Sequence, residues 1–225
     1  MQITFLGHAA FALEHDGKTV LVDPYLTGNP KASATAEEVA ADAIFLTHGH
    51  SDHLGDTVDI AKRTGATVVA IVELAGELAA SGVENLIDPN IGGTVDLGWV
   101  SVRLTPAWHT STTPNGTVST PAGLVIEMGD KRLYFAGDTA LFSDLALPAQ
   151  RGHIDLAVVP IGGHYTMDRF DAVVAADLIK ADQIIPDHYN TFPAIEADAQ
   201  AFKSDVQNAG FAEVIVLDPG QAHTL

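Results

Sequence analysis

The sequence predicts an α/β fold in which two β-sheets pack together and carry helices on their outer faces, a four-layer αββα sandwich. Segments rich in β-branched and apolar residues are followed by segments with helical spacing of apolar residues, and this succession occurs twice along the chain. The 225 residues, 47% of them hydrophobic, are enough for one sizeable core. We therefore expect a single domain over 1–225.

The first succession begins at the N-terminus. A His-Asp-Gly turn at 15–17 joins two strands as a hairpin, and residues 23–30, with two prolines, predict a long loop after them. Gly65 ends the helix predicted over 54–64. The predicted strands cover 3–6, 10–13, 19–22, 43–47 and 67–72, and the predicted helices cover 36–41, 54–64 and 73–80.

The second succession contains more strands. Polar residues and turn formers over 108–121 predict a loop between two of them. The predicted strands cover 93–97, 100–105, 123–128, 132–136, 155–160, 183–185 and 213–217, and the predicted helices cover 169–179 and 195–208. On the first of these helices, Phe170, Val173, Val174 and Leu178 share one face, which we expect to face the core.

The composition limits the classes of function. Without cysteine, nitrogen and oxygen atoms would have to hold any metal. A formal charge of −18 disfavours nucleic acid as a partner. No stretch reaches the roughly 18 apolar residues of a membrane span, and the N-terminus lacks the features of a signal peptide. We expect a cytoplasmic protein that acts on a small molecule and binds neither nucleic acid nor membrane; whether it forms a homo-oligomer stays open.

A cluster of metal-binding residue types follows the strand predicted at 43–47. Residues 44–53 read IFLTHGHSDH, which places His48, His50, Asp52 and His53 close together. Three imidazoles and a carboxylate suit zinc and also accept manganese or iron. A histidine-rich surface loop is the alternative, but the apolar run delivers the cluster to a strand end, and compatible residues recur downstream. We therefore predict that this loop binds metal.

Four other potential ligands also come directly after apolar strands. They are Asp23, His109, Asp138 and His188. Strands that end at one edge of a sheet bring such residues together there. Taken singly, each has another explanation, because such a histidine is often a hydrogen-bonded structural residue and such an aspartate is often a turn former or helix cap.

Taken together, the order of these residues resembles the metallo-β-lactamase superfamily. Its signature, His-x-His-x-Asp-His followed by a distant His, Asp and His, is matched by residues 48–53, His109, Asp138 and His188. The sequence resembles one branch more closely: metal-dependent hydrolases of the UPF type from bacteria and archaea, which are related to the ascorbate-6-phosphate lactonases. The shared motifs are residues 7–11 (GHAAF), 22–30 (VDPYLTGNP), 137–139 (GDT), 165–167 (YTM) and 186–193 (PDHYNTFP).

This resemblance implies the metallo-β-lactamase fold and a binuclear metal centre. It assigns His48, His50 and His109 to one metal and Asp52, His53 and His188 to the other, with Asp138 as the bridge. It further implies that a metal-bound hydroxide attacks a small anionic ester, lactone or phosphodiester, and Asp52 also counts among the catalytic residues. The expected cofactors are two divalent ions, zinc first, with manganese, nickel or iron as alternatives. No Gly-x-Ser-x-Gly elbow offers a protein nucleophile instead.

Two further histidines are candidates for catalysis. His8 belongs to a motif of the branch and is expected to orient a ligand or to contact substrate. His164 lies in a glycine-rich loop, where it can protonate a leaving group or bind an anion; a surface position without function is the alternative. Asp23 is expected to orient a ligand imidazole, with a turn role as its alternative.

The remaining candidates have smaller roles. Tyr165 and Asn190 are expected to line the cleft. Asp168 stands where the branch has a glycine, and we expect it to cap the helix that follows. The other histidines fall in turns or near the end of the chain and are expected to face solvent: His15, His153 and His223.

Other functions stay open on the sequence alone. A nuclease or a glutathione-thioester hydrolase would share the fold, but the charge of −18 disfavours the first and the sequence shows no basic cluster for the second. His50 disfavours a di-iron redox protein of the flavodiiron type, which usually has a glutamate there. A non-catalytic metal-binding protein is the remaining class, since ligands can persist after turnover is lost.

Overall fold

The computed structural model describes all 225 residues and contains two seven-stranded sheets. The first sheet consists of β1 (Gln2–Gly7), β2 (Ala10–His15), β3 (Lys18–Val22), β4 (Ala43–Phe45), β5 (Thr67–Val69), β6 (Leu86–Ile87) and β14 (Ala222–Thr224), which lies beside β1. The second consists of β7 (Thr94–Asp96), β8 (Val100–Pro106), β9 (Ala122–Met128), β10 (Lys131–Phe135), β11 (Leu156–Pro160), β12 (Gln183–Asp187) and β13 (Glu213–Val214), in this spatial order. Antiparallel pairs fill one side of each sheet, and parallel pairs fill the other.

Six α-helices complete the layers. They are α1 (Ser51–Leu54), α2 (Thr57–Thr64), α3 (Val72–Ala80), α4 (Leu147–Gln150), α5 (Arg169–Ile179) and α6 (Ala199–Ala209), with short 3-10 helices at Ser143–Ala146 and Pro193–Ile195. The longest, α5 and α6, have 11 residues each. None of the helices combines the length and the apolar character that crossing a lipid bilayer requires.

The core explains why two sheets stack. Alternate residues of each strand point to opposite faces, so Leu133 and Phe135 of β10 join a 41-residue cluster that also includes buried residues of the first sheet and of α2 and α3. There the rings of Phe11 and Phe135 meet edge to face, 5.5 Å apart, and link the two sheets. Tyr134, between them in sequence, joins a second cluster of 19 residues under α5 and α6. The predicted αββα sandwich is confirmed.

The helix predicted over 36–41 is wrong. Residues 36–38 form only a turn. The guanidinium of Arg63, on α2, donates hydrogen bonds to the carbonyl oxygens of Ala36 (2.7 Å) and Val39 (2.5 Å). Carbonyls that a helix would offer to its own N–H groups are therefore engaged by a distant arginine.

The helix predicted over 54–64 is interrupted. Gly55 has a positive φ of 44° and separates α1 from α2. The carboxylate of the next residue, Asp56, accepts hydrogen bonds from the backbone N–H groups of Leu26 (2.9 Å) and Thr27 (2.8 Å). The break therefore fastens the loop predicted at 23–30 beside the histidine cluster.

The predicted core-facing side of α5 is only partly correct: Val173 and Leu178 pack against the second core cluster and are partly buried, but the helix buries a different stripe. Its buried residues are Ala172, Ala175, Ala176 and Ile179, which recur at helical spacing. Phe170 and Val174 are instead 62% and 49% exposed. The small alanines let α5 lie close against its neighbours. The sequence of this helix contains two apolar stripes. The stripe with the larger side chains was predicted to be buried, whereas the structure buries the stripe with the smaller ones.

Other differences concern short or terminal elements. The last predicted helix, over 195–208, begins later, at Ala199, because Asp198 caps it by accepting hydrogen bonds from two backbone N–H groups. β6, β14 and α4 were not predicted; each has two to four residues, too few to show a periodicity.

Gly55→Ala should destabilise the fold strongly. A Cβ there would lie 2.3 Å from the carbonyl oxygen of Pro24, and the positive φ disfavours any L-residue. We expect the free energy of unfolding, measured by urea denaturation, to fall by about 2–4 kcal/mol. Gly65→Ala is the control, because its φ is also positive (73°) but its surroundings are open; its cost should stay near 1 kcal/mol. Equal losses in the two variants would contradict the steric explanation.

Candidate metal centre

The seven predicted ligands come together where the two sheets meet. β8, β10 and β12 run in one direction, so the residues that follow them, His109, Asp138 and His188, share one edge. The segment after β4 brings the residues of the 48–53 loop to the same place. A backbone hydrogen bond of 2.9 Å from His188 N to His8 O ties the second sheet to the first here.

The seven residues form two groups around one carboxylate. The first group is His48, His50 and His109, and its ligand atoms lie within 4.8 Å of one another and of Asp138. The second group is Asp52, His53 and His188, which is equally compact and includes His8 as a fourth neighbour.

Asp138 lies between the two groups. Its Oδ2 is 3.3 Å from Nε2 of His109 in the first group and 3.2 Å from Nε2 of His188 in the second. Its Oδ1 is 3.3 Å from Nε2 of His53. This is the position that a bridging carboxylate needs.

Asp23, at the end of β3, orients an imidazole in each group. Its Oδ2 accepts a hydrogen bond of 2.7 Å from Nδ1 of His53. The same oxygen accepts one of 2.5 Å from the hydroxyl of Thr47, which leaves that hydroxyl oxygen to accept from Nδ1 of His48, 3.0 Å away. Both rings therefore carry their proton on Nδ1 and present Nε2 to the centre. Thr47 was not predicted as a site residue, although it directly precedes His48, the first histidine of the loop.

His8 fixes Asp52 in a similar way. Burial lowers the pKa of His8 to about 4, against the opposing effect of the Asp52 carboxylate, so its ring is neutral. Nε2 lies 3.1 Å from Oδ2 of Asp52, which can only accept, and Nδ1 lies 2.9 Å from the hydroxyl of Thr191. His8 therefore carries its proton on Nε2 and donates it to Asp52. Its side chain is fully buried, which favours orientation of Asp52 over contact with substrate. Thr191 was not predicted as a site residue, although it lies within the shared motif at 186–193.

The electrostatics of the centre favour positive charge. Burial lowers the pKa of all three imidazoles of the first group. Burial acts in the same direction on His53 and His188, but nearby carboxylates, chiefly Asp138, outweigh it and raise their pKa. Burial opposes ionisation of Asp138, yet these two imidazoles hold the pKa of its carboxyl well below the usual value. A buried carboxylate of this kind needs cations beside it.

The residues present fit divalent metal ions. Nε2 of His53 and both ring nitrogens of His188 are buried without a hydrogen-bond partner. Buried polar atoms rarely stay unsatisfied, so a missing partner is indicated. Five imidazoles and two carboxylates are the donor types that zinc, manganese or iron accept. That the seven residues bind metal stays a prediction.

The backbone around the centre is strained. Among residues other than glycine, six have positive φ, and three of these are Asp23 (46°), His8 (63°) and His188 (52°). Such conformations cost about 1–3 kcal/mol each and persist where the surroundings impose them. Here they aim side chains from strand ends into the centre.

The other candidates lie outside the two groups. His164 is exposed after β11, with its ring edge-on to Tyr165, and it takes no part in the hydrogen bonds of the centre. The loop that carries it passes close to the centre, because a Cβ on Gly162 would lie 2.2 Å from the carbonyl oxygen of His188. The side chain of Asn190 bonds to the backbone of Ala197 and latches its own loop, so a role in lining the cleft is not supported.

The predicted cap and the remaining histidines can also be placed. Asp168 accepts hydrogen bonds from the N–H groups of Phe170 and Asp171, so the predicted cap of α5 is confirmed. His153 is 61% exposed beside Asp182. His15 packs against Gly129 and His223 bonds to Gln183, so both are only partly exposed, in contrast to the prediction.

Comparison with known proteins places the chain among relatives of similar length. Residues 2–188 match the model of the β-lactamase superfamily domain. A UPF0173 metal-dependent hydrolase of Methanopyrus kandleri is 45% identical, with 99% of each chain covered. One of Carboxydothermus hydrogenoformans is 47% identical, with 98% of each covered. The structure of a metallo hydrolase from Ignicoccus hospitalis superposes with a TM-score of 0.91 at 38% identity, covering 100% of this chain and 97% of that one.

Asp23→Asn should weaken metal binding without unfolding the chain. The amide would offer an N–H group where His53 or Thr47 needs an acceptor, so the imidazoles lose their fixed orientation. We expect metal affinity, measured by competition with a chelator, to fall about 10–100-fold. Asp42→Asn is the matched control: this carboxylate also accepts from a backbone N–H, that of Thr19 at 2.9 Å, but it lies at the opposite end of β3 and β4. An unchanged affinity in Asp23→Asn would show that Asp23 does not orient the ligands.

Proposed function

Since this chain belongs to the β-lactamase superfamily and is a metal-dependent hydrolase of that fold, we propose that it holds two metal ions and hydrolyses a small anionic ester, lactone or phosphodiester. The observation that carries the binuclear proposal is the position of Asp138. One of its oxygens is within 3.3 Å of an imidazole nitrogen of each group. A carboxylate between two groups of imidazoles can coordinate an ion in each of them.

Each residue of the centre has a defined task in this proposal. The first group holds one ion, the second group holds the other, and Asp138 contacts both. Zinc is the ion we favour, with manganese, nickel or iron as alternatives. When bound, such a pair of ions lowers the pKa of a water molecule toward about 7 and polarises the bond it attacks. Asp23 and His8 keep the ligands oriented.

The charge distribution supports a small substrate with a negative group. The chain carries −18 overall, which repels nucleic acid and other polyanions. Two divalent cations would make the centre locally attractive to one phosphate or carboxylate despite this surface. His164 is exposed on a loop whose backbone passes beside His188, and we assign it the role of binding the negative group or protonating the leaving group.

The rim of the centre supports a substrate that also has an apolar part. Trp108, directly before His109, is 69% exposed, and Tyr165, directly after His164, is 57% exposed. Thr139 links the two segments, because its hydroxyl accepts a hydrogen bond from Trp108 N and its carbonyl accepts one from Met167 N, each 3.0 Å long. Exposed aromatic rings beside a catalytic centre offer an apolar surface for the non-reacting end of a ligand.

His50→Ala and Asp138→Ala should both abolish turnover and reduce the amount of bound metal. Wild type should contain two ions per chain by elemental analysis, His50→Ala at most one, and Asp138→Ala fewer than two, because the shared carboxylate is lost. His153→Ala, a histidine on the surface, is the control and should keep both ions. Metal-dependent turnover that survives in either centre variant would contradict the proposal, as would one ion per chain in wild type.

A substrate screen separates the remaining functions. Metal-loaded protein would be tested with bis(p-nitrophenyl) phosphate, a set of lactones and a glutathione thioester. Turnover of the first two classes is expected. Turnover of the thioester alone would indicate a thioesterase, and no turnover in the presence of two ions would favour a non-catalytic metal-binding protein.

His164→Ala should lower kcat/KM by about 10–100-fold with both ions retained. The effect should appear in kcat if His164 protonates the leaving group and in KM if it binds the negative group. His153→Ala again serves as the control. Wild-type kinetics in His164→Ala would show that His164 is a surface histidine without a role in catalysis.

A further inference from the structure

A cavity lined by arginines lies apart from the metal centre. It has a volume of about 260 Å³ and is bounded by β8, β9 and β10 and by the segment around α4. Arg103, Arg132 and Arg151 line it, and they are three of the five arginines of the chain. None of the seven metal-centre residues lines it. The sequence shows no basic cluster, because these residues are 19 or more positions apart; the fold assembles one.

Strand register accounts for this assembly. On β8, Val102 and Leu104 are buried, so Arg103 between them is on the opposite, outer face of the second sheet. Arg103 pairs with Val125 of β9, and Arg132 of β10 pairs with Glu127 two residues further along β9. The two arginines are therefore diagonal neighbours across one strand, and α5 and α6 do not supply residues to this part of the face.

Arg132 is held in place before any ligand arrives. Its backbone N–H donates to Asp155 (2.8 Å), and its Nη2 donates to the carbonyl oxygen of Pro148 (3.4 Å). Gly152 leaves room for the guanidinium, because a Cβ at that position would lie 2.1 Å from Nη1. Nε of Arg132 is buried and has no hydrogen-bond partner, although Oε1 of Glu127 lies 3.5 Å away. A guanidinium held in this way loses little freedom when it binds an anion.

The other two arginines are not neutralised by ion pairs. The guanidinium of Arg103 makes one weak hydrogen bond, of 3.4 Å, to the hydroxyl of Thr94. Arg151 is exposed. Glu127 and Asp144 also line this region, so three positive charges face two negative ones. In a chain with 29 acidic and 11 basic residues, a local excess of positive charge at a concave surface is a site for an anion.

We propose that this cavity binds a small phosphate-bearing molecule. The guanidinium groups of Arg103, Arg132 and Arg151 match the geometry of phosphate oxygens, which arginine binds through paired N–H donors. Val125 and Leu147 line the same cavity and offer an apolar wall to the rest of the molecule. The volume suits a phosphomonoester with a small apolar body.

Calorimetric titration of the metal-loaded protein with phenyl phosphate tests the proposal at a constant ionic strength of about 0.15 M. Wild type should bind, and the double variant Arg103→Ser/Arg151→Ser should bind about tenfold or more weakly at this site. Arg151→Ser alone should also bind more weakly, and its fold is not at risk because the side chain is exposed. Titration with inorganic phosphate under the same conditions shows how much the apolar wall adds.

Two controls decide where the anion binds. Lys62→Ser/Lys203→Ser removes the same charge elsewhere and should keep wild-type affinity; equal weakening in this variant would mean that only net charge matters. His50→Ala removes a ligand of the metal centre and should keep binding at the arginine cavity. Binding that is lost in His50→Ala but kept in the arginine variants, or absent from wild type, would overturn the proposal.

Discussion

The buried carboxylate of Asp23 is the constraint on which the metal centre depends. It lies at the end of β3 and accepts hydrogen bonds from the backbone N–H of Thr47 (2.8 Å), the hydroxyl of Thr47 and the ring of His53. One side chain therefore fixes the start of the histidine loop and, through Thr47, the ring of His48. The predicted ligands come from both sheets, so the packing of the sheets sets the distances between them. Asp23 then sets the orientation of the rings of His48 and His53.

The centre concentrates negative charge that the fold does not neutralise with arginine or lysine. Asp23, Asp52 and Asp138 lie among imidazoles. Burial opposes ionisation of Asp52 and Asp138, but the hydrogen bond from His8 lowers the pKa of the Asp52 carboxyl, and His53 and His188 lower that of Asp138. Divalent cations would satisfy both the carboxylates and the unpaired imidazole nitrogens. The lysines and arginines of this acidic chain lie elsewhere, three of them around the cavity on the outer face of the second sheet.

The architecture and the set of candidate ligands could be predicted from the sequence, because alternation, helical spacing and the order of ligand residues are local signals. What could not be predicted depends on tertiary contacts. The carbonyl oxygens of Ala36 and Val39 bond to the distant Arg63, in a segment predicted as a helix. Gly55 interrupts the helix predicted over 54–64, and Asp56 beside it bonds to the backbone of Leu26 and Thr27. The buried face of α5 was missed because close packing selected alanine over larger apolar side chains. The hydroxyl relays through Thr47 and Thr191 likewise appear only when the sheets are assembled.

Anomalous X-ray scattering from crystals grown with zinc tests the central claim most directly. We expect two peaks about 3.5–4 Å apart in each chain, with Asp138 coordinating both. His48, His50 and His109 should surround one peak, and Asp52, His53 and His188 the other. A single peak, or two peaks that do not share Asp138, would contradict a binuclear centre built on that carboxylate.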